Sequence, residues 1–196
     1  MNHTPQIKKA IEFASHKHRS QLRKGALQLP YITHPFSVAL LVAEGGGNDE
    51  AVIAALLHDT LEDTETTEEE IAEAFGPRVL ELVRTVSEPK TDDGRELSWK
   101  EKKDGYLEQI EVGPLDALLV AIADKIDNIE SKVEALAIEG SELLKRWAQA
   151  PLMYLWYHEA SLEIAKKRLP EHPLTKRLTE ALSKEREALN QLNISN

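Results

Sequence analysis

Cysteine is absent from all 196 residues, which excludes disulfides and thiolate-bound metals and makes a reducing compartment, the cytoplasm, the default location. No apolar run approaches the roughly 18 residues that a membrane span needs, and the opening segment MNHTPQIKK lacks the apolar stretch of a secretory signal. No aromatic-and-basic pattern accompanies the net charge of −10, so nucleic acid is not expected as a partner. Lysine and arginine are also missing from the whole of residues 51–77, although residues 59–73 alone carry eight carboxylates. Residues 1–36 show the opposite bias, with six basic side chains against Glu12 and a local charge of +5. A basic patch inside an acidic chain fits a small anionic ligand better than a long polyanion. The plainer alternative is that both runs are solvated helix faces.

What remains is the composition of a globular protein, 41% hydrophobic and 30% charged, long enough to bury roughly 70% of its unfolded surface. The periodicity is helical throughout, and no stretch alternates cleanly over the length of a strand. An all-α fold is therefore expected, forming a single domain over residues 1–196 with no internal repeat. Ile7, Ala10, Ile11 and Ala14 mark a first helix over about 5–22. His34-Pro35 opens a second that ends at the glycines 45–47, and a third is expected to run without interruption from about 48 to 63. Thr67 with Glu70, and Ser98 with Glu101, form capping-box patterns ahead of two further helices. Residues 88–97 read as a polar loop, and a long apolar helix follows Gly113-Pro114. Pro151 marks a kink or a fresh start, and residues 171–196 are expected to form a peripheral, highly charged C-terminal helix. The aromatic cluster Trp147, Tyr154, Trp156 and Tyr157 has the spacing of core residues.

The segment LLHDTLEDT places His58, Asp59, Glu62 and Asp63 straight after the apolar run AVIAALL. On a continuous helix, His58 shares a face with Glu62, and Asp59 with Asp63. Burying such groups unpaired costs several kcal/mol each, so a positive charge from elsewhere is required. A divalent metal would serve, since imidazole and carboxylate suit Mn, Fe, Zn or Mg-like ions. The same anomaly recurs at His34, an imidazole that begins an apolar helix, and at Asp124, a carboxylate within LLVAIADKIDN. Singly, His34 could be a helix cap or a satisfied core histidine, and Asp124 could pair with Lys125 or a distant arginine. Together, His34, His58, Asp59 and Asp124 on three helices offer two nitrogens and two oxygens.

This order of a histidine, a His-Asp pair and an aspartate resembles the HD-domain superfamily of metal-dependent phosphohydrolases. HKHRSQLRKGALQLPYITHP, HDTLEDT and ADKIDN further resemble three ordered motifs of the RelA/SpoT-type alarmone hydrolases, together spanning about residues 9–137. The resemblance implies an HD-domain helical bundle in which His34, His58, Asp59 and Asp124 hold one divalent ion, usually manganese. It further implies that Glu62 and Asp63 orient water and move its proton, and that Arg23, Lys24 and Asn128 bind the nucleotide. The implied activity is hydrolysis of the 3′-pyrophosphate of guanosine tetra- or pentaphosphate (ppGpp or pppGpp) by a stand-alone, cytoplasmic enzyme. Tyr31 reads as core or pocket wall, with core the preferred reading.

Three departures from the family pattern touch the nucleotide wall. Ala121 stands where relatives often carry lysine, Asp127 where an aromatic or histidine is common, and Gly25 where serine is common. They leave room for an HD phosphohydrolase of another nucleotide, 2′- or 3′-phosphorylated or a 5′-monophosphate. A reading from a different class is a catalytically silent nucleotide-binding module.

Overall fold

Residues 117–126 are buried without a gap, so the helix carrying them is enclosed on every side and forms the axis of the molecule. The structure, a computed structural model, describes residues 4–23, 28–92 and 94–194. Its helices are α1 (Pro5–Lys17), α2 (Thr33–Glu44), α3 (Asp49–Leu57), α4 (Thr60–Asp63), α5 (Glu68–Phe75), α6 (Pro77–Thr85), α7 (Trp99–Val112), α8 (Leu115–Glu139), α9 (Pro151–Arg168) and α10 (Pro173–Gln191). A 3-10 segment, Gly140–Arg146, joins α8 to α9. The fold is all-α, as the periodicity predicts. Extended pairing among the described residues is limited to a short hairpin of β1 (Thr91–Asp92) with β2 (Arg95–Glu96) and a bridge between Leu22 and Pro30. Helices α2, α3 and α10 pack directly on α8, α1 and α6 pack on α3, and α9 lies against α7, α8 and α10.

Several boundaries follow side-chain chemistry that periodicity does not reveal. The first helix stops at Lys17 rather than near residue 22, because its apolar stripe ends at Ala14 and the following polar side chains bond elsewhere. His18 Nδ1 lies 2.6 Å from Gln21 Oε1, while Gln21 Nε2 donates to the carbonyl of Asp63 at 2.5 Å. The chain then turns back, with the Arg23 amide donating to the Leu29 carbonyl and the Tyr31 amide to that of Gln21. Helix α2 starts at Thr33, so Pro35 occupies the third helical position, still within the turn whose amides need no helical partner. The two expected capping boxes, Thr67 with Glu70 and Ser98 with Glu101, are both present. Between α5 and α6, Gly76 adopts φ +90°, a conformation costly for residues with a Cβ, and Pro77 starts the next helix. Pro151 likewise begins a new helix rather than kinking an old one.

The C-terminal segment does more than cover the surface. Leu174, Leu178, Leu182 and Leu189 of α10 are buried in the single hydrophobic core. On the same helix, fully buried Glu185 accepts from His158 Nδ1 of α9 at 2.7 Å. That bond fixes a histidine which, as described below, backs the candidate site.

Candidate active site

The expected third helix breaks at His58-Asp59. Asp59 sits at φ −91° and ψ −5°, α3 closes at Leu57, and α4 restarts at Thr60. Local side chains satisfy the freed carbonyls: Thr60 Oγ1 donates to Leu57 at 2.7 Å, and His58 Nδ1 donates to Ala55 at 2.8 Å. The break overturns the picture of two columns on one helix. It turns the imidazole of His58 and the carboxylate of Asp59 toward the same point.

At that point His58 Nε2 lies 3.1 Å from Asp59 Oδ2 and 3.7 Å from Asp124 Oδ1. His34 Nε2, from α2, lies 3.1 Å from Asp124 Oδ1 and 3.6 Å from Asp59 Oδ2. His34, His58 and Asp59 thus offer donor atoms within 4.8 Å of one another, and α8 brings Asp124 against them. Each donor is held from behind. His34 Nδ1 donates to Asp127 at 2.6 Å, Tyr31 Oη donates to Asp59 Oδ2 at 2.6 Å, and Asp124 accepts from Asn128 and Lys125 at 2.5 Å each. Because both histidines use Nδ1 as a donor, Nε2 is left as the free electron pair facing the cluster. His58 Nε2 is buried and has no hydrogen-bond partner among the described residues. An orphaned imidazole nitrogen beside two carboxylates is the donor set that a divalent cation completes.

The electrostatics report the same demand for positive charge. Burial opposes a charged imidazole at His58, yet Asp59 and Asp124 outweigh it and hold the ring well above its ordinary value. At Asp59 burial acts against ionisation, but His58 and His34 keep the carboxyl below its usual range. Glu62 behaves in the opposite way. Burial, reinforced by Asp59 and Glu88, pushes its carboxyl up to about 7. Its Oε1 accepts from the Glu88 amide at 2.9 Å, and the side chain lines the same cavity as the four donors. Asp63 instead lines the neighbouring cavities and is exposed, with its carboxyl also raised by burial.

The shift at Glu62 has a stability consequence. A carboxyl raised in the folded state stabilises below the ordinary carboxylate range and loses that contribution as pH rises through about 7. Glu62→Gln should therefore leave metal-free protein close to wild type at pH 5. At pH 8 it should stabilise it by about 1–3 kcal/mol in chemical denaturation.

The cavity that holds the cluster has a volume of about 260 Å³ and is also lined by Lys103, Lys125, Lys132 and His158. A second cavity of about 600 Å³ shares Tyr31, Asn128, Lys132 and Tyr154 with it and adds Arg23, Arg146 and Trp147. Tyr31 is thus pocket wall and not simply core. The aromatic cluster is also partly wall: Trp147 and Tyr154 line the second cavity, Tyr157 the first, and Trp156 meets Trp99 edge to face. Arg23 lines the second cavity, where its Nη2 donates to Ser131 at 2.9 Å and to Asp127 at 3.2 Å. Lys24 and Gly25 lie outside the described residues.

The pairing of Asp124 with Lys125, one of the alternatives the sequence offers, is present, while two further roles carry no distinct signal there: Asp127 holds both His34 and Arg23, and Lys132 stands between the two cavities. In the sequence Asp127 stands out only as a departure from the family pattern, because its two partners lie about a hundred residues away.

The profile of the HD domain matches residues 10–148. The chain belongs to the HD-domain family. This HD-domain chain is 44% identical over 131 residues, 66% of its length, to a guanosine-3′,5′-bis(diphosphate) 3′-pyrophosphohydrolase of Aquifex aeolicus, of which it spans only 18%. It is also 44% identical over 126 residues to the mouse 3′-pyrophosphohydrolase MESH1, covering 63% of the HD-domain chain and 68% of MESH1. Among solved structures, a metazoan ortholog of SpoT that hydrolyses ppGpp superposes over 100% of the chain and 99% of its own, with a TM-score of 0.71 at 23% identity. The Listeria monocytogenes protein lmo0812 matches 76% of the chain and 96% of its own, with a TM-score of 0.68 and 31% identity. No described helix is long and apolar enough to cross a membrane.

Proposed function

We propose that this HD-domain chain is a metal-dependent, cytoplasmic nucleotide hydrolase that removes the 3′-pyrophosphate of guanosine tetra- or pentaphosphate. The observation that carries the reading is the convergence of His34 Nε2, His58 Nε2, Asp59 Oδ2 and Asp124 Oδ1 beside a lysine-walled cavity. Names of relatives support the substrate. We assign the four donors to one divalent cation, manganese by preference, which when bound supplies Lewis acidity and lowers the pKa of water toward neutrality.

In this reading the chain's own groups do the following. Glu62, poised near neutrality, takes the proton of the attacking water as it approaches the 3′-phosphorus. The bond between that phosphorus and the ribose 3′-oxygen breaks, pyrophosphate leaves, and the 3′-oxygen takes a proton from solvent. Asp63, at the mouth of the adjoining cavity, relays protons to solvent. Tyr31, Asp127 and Asn128 hold three of the donors in place. Lys103 and Lys125 line the same cavity, paired with Glu88 and Asp124, and Arg23, Lys24 and Asn128 take the nucleoside. The unit responsible includes α9 and α10, since Glu185 anchors His158 behind the cavity.

Incubating manganese-loaded protein with a nucleotide panel tests the reading. Release of pyrophosphate from guanosine tetraphosphate is expected. The pairing of Arg23 with Asp127 favours a second reading, an HD hydrolase of another nucleotide, because it commits the guanidinium to the protein. Orthophosphate release from another nucleotide alone would select that reading, and no turnover with any divalent ion would leave a silent binding module.

The role given to Asp127 has its own check. An imidazole whose Nδ1 donates to a carboxylate is a fixed and more basic ligand through Nε2. Calorimetric titration of Asp127→Asn with Mn2+ should show affinity weakened roughly 10–100-fold. Unchanged affinity would mean that the contact is incidental to metal binding.

A further inference from the structure

Three lysines wall the metal cavity, and two of them are already neutralised. Lys103 is paired with Glu88, and Lys125 with Asp124. Lys132 is different. Among the described residues it forms no ion pair or hydrogen bond, and its half-buried ammonium instead lies 4.2 Å from the ring centre of Tyr154 and 5.4 Å from that of Trp147. It lines both cavities, as Asn128 does one helical turn earlier. An unpaired ammonium held partly out of water invites an anion, and burial already pushes Lys132 down to about 8, with Lys125 and Lys103 adding to the effect against Glu185.

Its place along α8 says which anion. Lys132 is two turns beyond Asp124 on one helix face, about 12 Å along the axis, with a side chain that leans back toward the donor cluster. It therefore stands beside the reacting phosphorus and not on it. We propose that Lys132 is a substrate-specificity residue that binds a phosphoryl group of the nucleotide other than the one attacked. The proposal rests on the hydrolase reading above. Two phosphates have the right chemistry, the outer phosphate of the 3′-pyrophosphoryl group and the phosphates on the 5′ side.

Steady-state kinetics of Lys132→Gln and Lys132→Arg separate these cases. For guanosine 3′,5′-bisdiphosphate, the glutamine variant is expected to raise KM roughly 10–100-fold, the range of a lost charged hydrogen bond, with a much smaller change in kcat. The arginine variant, which keeps a cation over the same rings, should recover most of that loss. Repeating the comparison with guanosine 3′-diphosphate identifies the phosphate. A penalty that persists assigns Lys132 to the outer 3′-phosphate, and one that vanishes assigns it to the 5′ side. Unchanged KM, or a loss confined to kcat, overturns the proposal. If wild-type protein hydrolyses none of these nucleotides, the hydrolase reading fails first, and binding of inorganic pyrophosphate to metal-free protein then decides for Lys132. Tighter binding by wild type than by Lys132→Gln, by tenfold or more, upholds the phosphate site, and equal affinity overturns it.

Discussion

Asp59→Ala is expected to abolish metal retention and hydrolysis together. The carboxylate approaches both imidazoles, 3.1 Å from His58 Nε2 and 3.6 Å from His34 Nε2, and accepts the Tyr31 hydroxyl at 2.6 Å. Removing it takes one of two anionic donors from the cluster and leaves the half-buried Tyr31 hydroxyl without its acceptor. Elemental analysis of purified variant should fall from about one ion per chain to below about 0.1. Turnover should fall by roughly 10³-fold or more, because without the bound ion neither the nucleophile nor the phosphoryl oxygens are activated. Asp59→Asn, which keeps the shape and can still accept from Tyr31, separates loss of charge from loss of fold. It should retain the wild-type circular dichroism spectrum while losing the metal.

Glu62→Gln should divide the two properties that Asp59 joins. Glu62 lines the cavity but does not approach the two histidines as Asp59 and Asp124 do, and its Oε1 accepts only the Glu88 amide. Glutamine can keep that hydrogen bond through its own carbonyl oxygen, so structure and metal content should be preserved. What it cannot do is accept a proton from water. A fall in kcat of about 10²–10⁴-fold at unchanged metal stoichiometry is the expected signature of a lost general base. A variant with normal metal and a wild-type rate would remove Glu62 from the proton pathway. The neutral side chain should at the same time stabilise metal-free protein above pH 7, and denaturation of the same variant separates loss of rate from unfolding.

The cluster of His34, His58, Asp59 and Asp124 was legible in sequence because most of its members break a rule of burial. His34, His58 and Asp124 sit in runs so apolar that an ionisable side chain there demands a partner, and all three are buried. The helical class was legible for the related reason that apolar period is a local property. The break at His58-Asp59 was not, since Thr60 and His58 bond to carbonyls in their own turns without disturbing the periodicity. Asp127 reads only as a departure from the family pattern and Lys132 as an ordinary polar position, and only the approach of α2, Arg23 and the aromatic wall gives them roles. The same holds for Glu185. In a helix as charged as α10 it looks solvated, and its burial depends on His158 of another helix.

The central claim is that two imidazoles and two carboxylates from α2, the α3–α4 break and α8 grip one cation. Crystals grown with Mn2+ and measured at the manganese absorption edge test it most directly. A single anomalous peak is predicted, bonded at about 2.0–2.3 Å to His34 Nε2, His58 Nε2, Asp59 and Asp124. A peak elsewhere, or none under conditions where the protein turns over substrate, would contradict it.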